Sequence, residues 1–279
     1  MSRRSAVHSF VHDGYELAYE VYGDGPNVVV YMNGLLLDAG INRGIARRLA
    51  QVGNRVVLLD LLGHGRSDRP RRAAAHRIDF YARQSIGLLD HLGIERAVLG
   101  GVSLGAMAAL SAGAQAPERI EALLLEMPVL ETAAPFAALL FTPVLLGMTY
   151  GGPVARLGTG LMRALPRTGV DALDSFLDAG SMHPEEISSI LHGTLMGALG
   201  PTEEERKAMD IPTLIIGHDG DPLHPGDDAR RLSRQMPNAT MVEAYSIAEM
   251  RLRPGRLVDE MIRFLDATWM AGSGVSRAG

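Results

Sequence analysis

Among the residues able to do chemistry, Ser103 is singled out by its neighbours. Gly101-Val102-Ser103-Leu104-Gly105 follows a short apolar run and precedes an alanine-rich one, which places the serine at a strand-to-helix turn. Flanking glycines let such a turn pass close to neighbouring backbone, and they leave the serine presented at the helix N-terminus. A hydroxyl near neutral pH is a weak nucleophile unless a partner base takes its proton. The chemistry therefore turns on what that base is.

The candidates are few. Asp221 lies just past the apolar run 212–217, with Asp219 as a rival acid and Glu126, ending the run 122–126, as a weaker one. Nine histidines are present and none lies beyond His224; there is no cysteine, which removes thiolate nucleophiles, disulfides and thiolate metal sites together. His183 and His192 are too far apart for a compact helical ligand pair, and "GHDGDPLHP" lacks the spacing of a common zinc site. "GVSLGA" lacks the Lys-Ser/Thr ending of a phosphate loop, and the first strand-to-helix turn lacks G-x-G-x-x-G. No metal and no cofactor are expected.

These residues need a scaffold. A chain of 279 residues suffices for one large α/β domain or two small ones, and 47% apolar with 21% charged residues is the balance of a globular protein. A net charge of −5 offers no basic excess for nucleic acid. The start is basic for four residues without the apolar stretch of a signal peptide, so a cytoplasmic location is expected. The most apolar stretch, 133–148, is interrupted by Pro135 and Pro143 and falls short of the roughly 20 residues that span a bilayer.

Runs 7–11 and 15–22 around "HDG" predict a hairpin, followed by strands at 27–32, 55–60, 97–101, 122–126, 212–217 and 239–244. Helical spacing occupies 76–92, 104–116 and 257–267. This order predicts a mostly parallel sheet with helices on both faces after an antiparallel start. Residues 132–210, rich in Leu, Ala, Gly and Met, predict an inserted helical cap; 1–131 with 211–270 form the core, and 271–279 has the composition of a disordered tail.

On the G-x-S-x-G turn, "VVVYMNGLLLD", "VLLDLLGHGRSDRP" and "LIIGHDGDPLHP", the chain resembles the α/β-hydrolase fold family over nearly its whole length. The resemblance implies an eight-stranded sheet with the cap inserted after the sixth strand. It implies Ser103 as nucleophile and the backbone N–H groups of Leu35 and Leu104 as oxyanion hole. Asn33 stands where the family often has histidine, in a position to brace the loop or meet the substrate. His64, Asp60 and Asp68 fall in a stretch that is mainly architectural in the family. The family's chain order is Ser, acid, then His after the last strand. Here "YSIAEMRLRPGRL" follows that strand, and Glu249 falls at or beside the histidine's place.

Three arrangements answer that departure. His224, or with the same difficulty His218, serves as base from the acid's own loop. Alternatively Glu249 moves the proton, its pKa raised by burial and by Asp221 nearby. Or the fold is kept for binding, or for catalysis by the oxyanion hole and pocket shape alone. In the cap, Phe136, Leu140, Met148 and Met196 either pack together or line a hydrophobic pocket, and Arg251, with Arg253 nearby, is placed to hold a carboxylate at its mouth. The expected protein is an α/β-hydrolase-fold enzyme, monomer or homodimer, acting on a hydrophobic small molecule. Hydrolysis of an ester, thioester or amide is the default; a lyase or cyclase reaction and a non-catalytic ligand-binding role are the alternatives.

Overall fold

The computed structural model describes residues 6–272. It opens with the hairpin β1 (Val7–His12) and β2 (Tyr15–Tyr22), turning at Asp13 and Gly14, both left-handed. There follow β3 (Asn27–Met32), α1 (Arg43–Gln51), β4 (Asn54–Leu59), α2 (Ile78–Leu92), β5 (Ala97–Val102), α3 (Leu104–Gln115) and β6 (Ile120–Glu126). Between β6 and the next strand come five helices and no strand: α4 (Ala134–Tyr150), α5 (Gly152–Ala164), α6 (Asp171–Gly180), α7 (Pro184–Met196) and α8 (Glu203–Ala208). β7 (Thr213–Gly217), α9 (Gly226–Gln235), β8 (Ala239–Glu243), the short α10 (Glu249–Leu252) and α11 (Gly255–Gly272) close the chain. Ala271 and Gly272, expected in a disordered tail, still belong to α11, and 273–279 lie outside the described residues.

The strands form one sheet in the order β1-β2-β4-β3-β5-β6-β7-β8, antiparallel at β1–β2 and β2–β4 and parallel elsewhere. Alternation along the strands sends side chains to two cores. Val30, Met32, Leu99, Leu123 and Ile215 meet α2 and α3 on one face, and Val29, Tyr31, Leu124 and Ile216 meet α1 and α11 on the other. α3 is buried almost all round, which explains its run of alanines: larger side chains would hold it off the sheet.

Polar contacts fix the inserted helices to the sheet. Buried Asp228 of α9 accepts the N–H groups of Leu130, Thr132 and Ala133, satisfying donors at the entry to α4. Asp171 of α6 pairs with Arg43 and Arg47 of α1, and Arg43 also holds Glu20 of β2. α7 lies so close to the turn 73–76 that a Cβ on Gly193 would sit 2.1 Å from the Ala73 carbonyl oxygen. Among the described residues, no single helix is long and apolar enough to cross a membrane.

Candidate active site

Three non-glycine residues with left-handed backbone stand at the C-terminal edge of the sheet: Leu36 (φ +63°) beyond β3, Ser103 (+53°) after β5 and Met127 (+51°) after β6. Such conformations cost about 1–3 kcal/mol each and persist only where the surroundings enforce them. At Ser103 the restraints are visible. Its N–H donates to the Glu126 carbonyl (2.8 Å), and its own carbonyl accepts from Met107 N–H (3.0 Å). A Cβ on Gly101 would lie 2.6 Å from the Gly105 carbonyl carbon, and one on Gly105 2.6 Å from the Met32 carbonyl oxygen. Both glycines are therefore required by the close approach of α3 to β3.

The Ser103 hydroxyl has a base beside it. His224 Nε2 lies 3.0 Å from Ser103 Oγ, and His224 Nδ1 lies 2.7 Å from Asp221 Oδ2. An ionised carboxylate only accepts, so Nδ1 carries the proton and Nε2 turns its lone pair to the hydroxyl. The other Asp221 oxygen accepts Leu223 N–H at 2.8 Å. That bond curls the loop, which is how an acid and a base three residues apart come to face each other. Partial burial pushes the Asp221 carboxyl up, but the hydrogen bonds from His224 and Leu223 outweigh it, and the net direction is below the ordinary aspartate value. His218, buried with Nδ1 2.8 Å from the Asp219 carbonyl, flanks the acid at 4.0 Å; Asp219 itself is exposed and pairs with Arg230.

The loop after β3 runs past the elbow, where a Cβ on Gly34 would meet the Val102 carbonyl at 3.6 Å. Asn33 is fully buried beneath this loop: its Oδ1 accepts Leu61 N–H (3.0 Å), and its Nδ2 donates to the Gly34 and Leu37 carbonyls (2.9 and 2.8 Å). With its amide turned entirely to backbone it is a brace, and it does not line a binding surface as the substrate-contact expectation had it. Among the described residues the N–H groups of Leu35 and Leu104 make no backbone hydrogen bond, and Leu104, first in α3, has no intrahelical acceptor. The Leu104 donor, next in the chain after the serine, and the Leu35 donor in the loop after β3 are thus left available.

Glu249 takes no part in this cluster. Its carboxylate pairs with Arg256 (2.9 and 3.0 Å) and accepts Tyr245 N–H, and neither Ser103 nor Asp221 is among its partners. The expected upward pKa shift is reversed, because the Arg256 guanidinium outweighs burial and holds the carboxyl below the ordinary glutamate value. Arg251 does hold a carboxylate, but one of the protein's own. It donates to both oxygens of Glu126 (2.9 and 3.0 Å) and to Asn42 Oδ1 (3.2 Å). Tyr31 OH adds a bond to Glu126 at 3.1 Å, and Asn42 Nδ2 donates to the Met32 carbonyl. The buried network lies directly behind the elbow, since Glu126 also receives Ser103 N–H on its backbone.

The cap residues expected at a pocket are dispersed. Leu140 and Met196 are 44% and 77% exposed, Phe136 is half-buried in the first turn of α4, and Met148 packs with Phe141 and Leu145 against Met182, Ile187 and Ile190. A helix can turn only one stripe inward, and α4 turns Ala137, Phe141, Leu145 and Met148. His64 is fully buried with Nδ1 on the Leu62 carbonyl, and burial pushes its pKa down to about 3. Asp60 accepts the N–H groups of Ala39 and Arg66, and Asp68 that of Glu16. Asp228, which ties the β7–α9 segment to the cap, is absent from the sequence reading; an acid in a first helical turn gives no signal of where its carboxylate points. Among the described residues no cluster of three or more histidine or acidic side chains is arranged to hold a metal ion.

Known proteins resemble this chain over most of its length. A hydrolase of Bacillus subtilis, itself uncharacterised, is 26% identical over 93% of this chain and 94% of its own length. A monoacylglycerol lipase of Mycolicibacterium smegmatis is 29% identical over 83% of this chain and 85% of its own. Among solved structures, the enol-lactonase of Burkholderia xenovorans superposes with a TM-score of 0.76 at 20% identity, covering 93% of this chain and all of its own. The sequence profile described as alpha/beta hydrolase fold matches residues 27–246. That match runs from β3 to just past β8, well over half the chain, and this protein belongs to the α/β-hydrolase family.

Proposed function

We propose that the protein is a serine hydrolase of carboxylic esters, working through Ser103, His224 and Asp221 on a hydrophobic small molecule. The observation that carries this reading is the pair of contacts made by one imidazole, 2.7 Å to the Asp221 carboxylate and 3.0 Å to the Ser103 hydroxyl. His224 takes the hydroxyl proton as Oγ attacks the ester carbonyl. The N–H groups of Leu35 and Leu104 receive the negative charge on the carbonyl oxygen, each donor worth about 3–4 kcal/mol of barrier. His224 then passes its proton to the leaving alcohol, and a water activated in the same way releases the acid. Asp221 keeps Nδ1 protonated throughout and stabilises the imidazolium.

The relatives named as hydrolases and the free lone pair on His224 Nε2 support this chemistry over a lyase or binding role. Glu249, with both oxygens on Arg256, offers no base for the alternative. The test is turnover of activated short-chain esters by the purified protein, Ser103→Ala, His224→Gln and Glu249→Gln. Loss of activity in the first two with retention in the third is the expected outcome. Full activity in His224→Gln, or its disappearance in Glu249→Gln, would sink the reading.

A further inference from the structure

α4 is apolar all round. Opposite its inward stripe, Leu139, Leu146 and Tyr150 share an outward face and are 71%, 50% and 80% exposed. α5, whose axis is bent 107° from that of α4, adds Val154, Leu157 and Leu161 at helical spacing, 78%, 64% and 63% exposed. Six exposed large apolar side chains on two successive helices are a feature of interaction surfaces in globular proteins. α4 at 17 residues is also shorter than the roughly 20 that span a bilayer.

Charge says what meets this face. From 132 to 170 there is no Asp and no Glu, only Arg156, Arg163 and Arg167, in a chain whose net charge is −5. At the bend between α4 and α5, a cavity of about 370 Å³ brings Arg71, Arg156 and His192 together with Thr149 and Ser188. Glu185 also lines it and pairs with Arg156, while the exposed Arg71 and Arg72 make no ion pair among the described residues. The unpaired Arg71 and Arg72 give the edge of this face a positive charge, and an anionic lipid surface supplies the opposite one.

We propose that the α4–α5 elbow docks the protein on an anionic lipid bilayer. The outward apolar side chains enter the interfacial layer, and the unpaired Arg71 and Arg72 meet phosphate groups at its edge. The inference does not depend on the serine hydrolase chemistry, and its test reads binding separately from turnover.

Full-length protein is floated with phosphatidylcholine vesicles, with and without phosphatidylglycerol. The expected result is co-flotation with the anionic vesicles, falling as salt is raised. Val154→Asp combined with Leu157→Asp lowers the bound fraction about tenfold or more. The same variant keeps its helical circular dichroism and its rate on a soluble short-chain ester, and Ser103→Ala floats as the wild type does. Wild-type protein that stays unbound with both vesicle types overturns the proposal. So does a stable dimer by light scattering that the double variant converts to monomer, which assigns the face to a second copy. Absence of ester turnover alongside normal flotation overturns the hydrolase reading and leaves this one standing.

Discussion

The turns after β7 and after β8 are both rich in charge and both open at the C-terminal edge of the sheet, yet they end in opposite chemical states. After β7, Asp221 and His224 satisfy each other on one side and leave the imidazole Nε2 turned to Ser103. After β8, Glu249 is taken up by Arg256 and Tyr245 N–H, and Arg251 by Glu126 and Asn42. Proximity to the C-terminal edge is shared; a lone pair left facing the Ser103 hydroxyl is not. The second turn has become structure: Arg251 of α10 holds Glu126 at the end of β6, and Arg256 of α11 holds Glu249 and the Glu243 carbonyl of β8.

The largest effects separate the two turns most sharply. Ser103→Ala and His224→Gln each lower kcat by about a million-fold on an activated ester, while Glu249→Gln stays within a few-fold of wild type. Asp221→Asn comes next, at about ten-thousand-fold, since a wrongly held tautomer removes the acceptor that Ser103 needs. Arg251→Met reverses the pattern. It strands the buried Glu126 carboxylate and costs about 3–5 kcal/mol of stability by urea denaturation, with a smaller fractional change in kcat. Loss of kcat in Arg251→Met equal to that in His224→Gln, at unchanged stability, would erase the distinction.

The smallest effect is on acid stability. The Glu249 carboxyl is depressed below 4.5 in the folded protein. A depressed carboxyl contributes stability that is complete above its unfolded value and is lost as pH falls through the folded one. The thermal midpoint of wild type therefore drops as pH falls below about 4.5, and that of Glu249→Gln drops less steeply over the same window. Identical slopes would show that the ion pair with Arg256 carries no weight.

The sheet was legible because its strands are short apolar runs set off by turn residues. The runs at 7–11, 15–22 and 27–32 appear as β1, β2 and β3 within a residue of their expected ends. α1 and α9 escaped, since "RGIARRLAQ" and "GDDARRLSRQ" carry few apolar positions, and only Ile45, Leu49 and Leu232 show which way they face. At the site, the glycines around Ser103 announced the elbow. What could not be read was the direction of the charged side chains. Glu249 occupies a place in the chain where a base is expected, and seven residues later an arginine claims it. Asp221 and His224 looked too close in sequence to serve one another, and a single bond from Leu223 N–H to Asp221 brings them together.

Because Asp221 and His224 share one loop, the three members of the proposed triad come from only two pieces of chain. Asp221 and His224, three residues apart in the segment between β7 and α9, are bonded to each other at 2.7 Å. The contact that joins the two pieces is the 3.0 Å one from His224 to the serine. Asp228, in the first turn of α9, ties that same segment to the start of α4. Two pieces of chain thus set the whole arrangement, the elbow after β5 and the loop after β7, and the second of them is bonded through Asp228 to the start of α4.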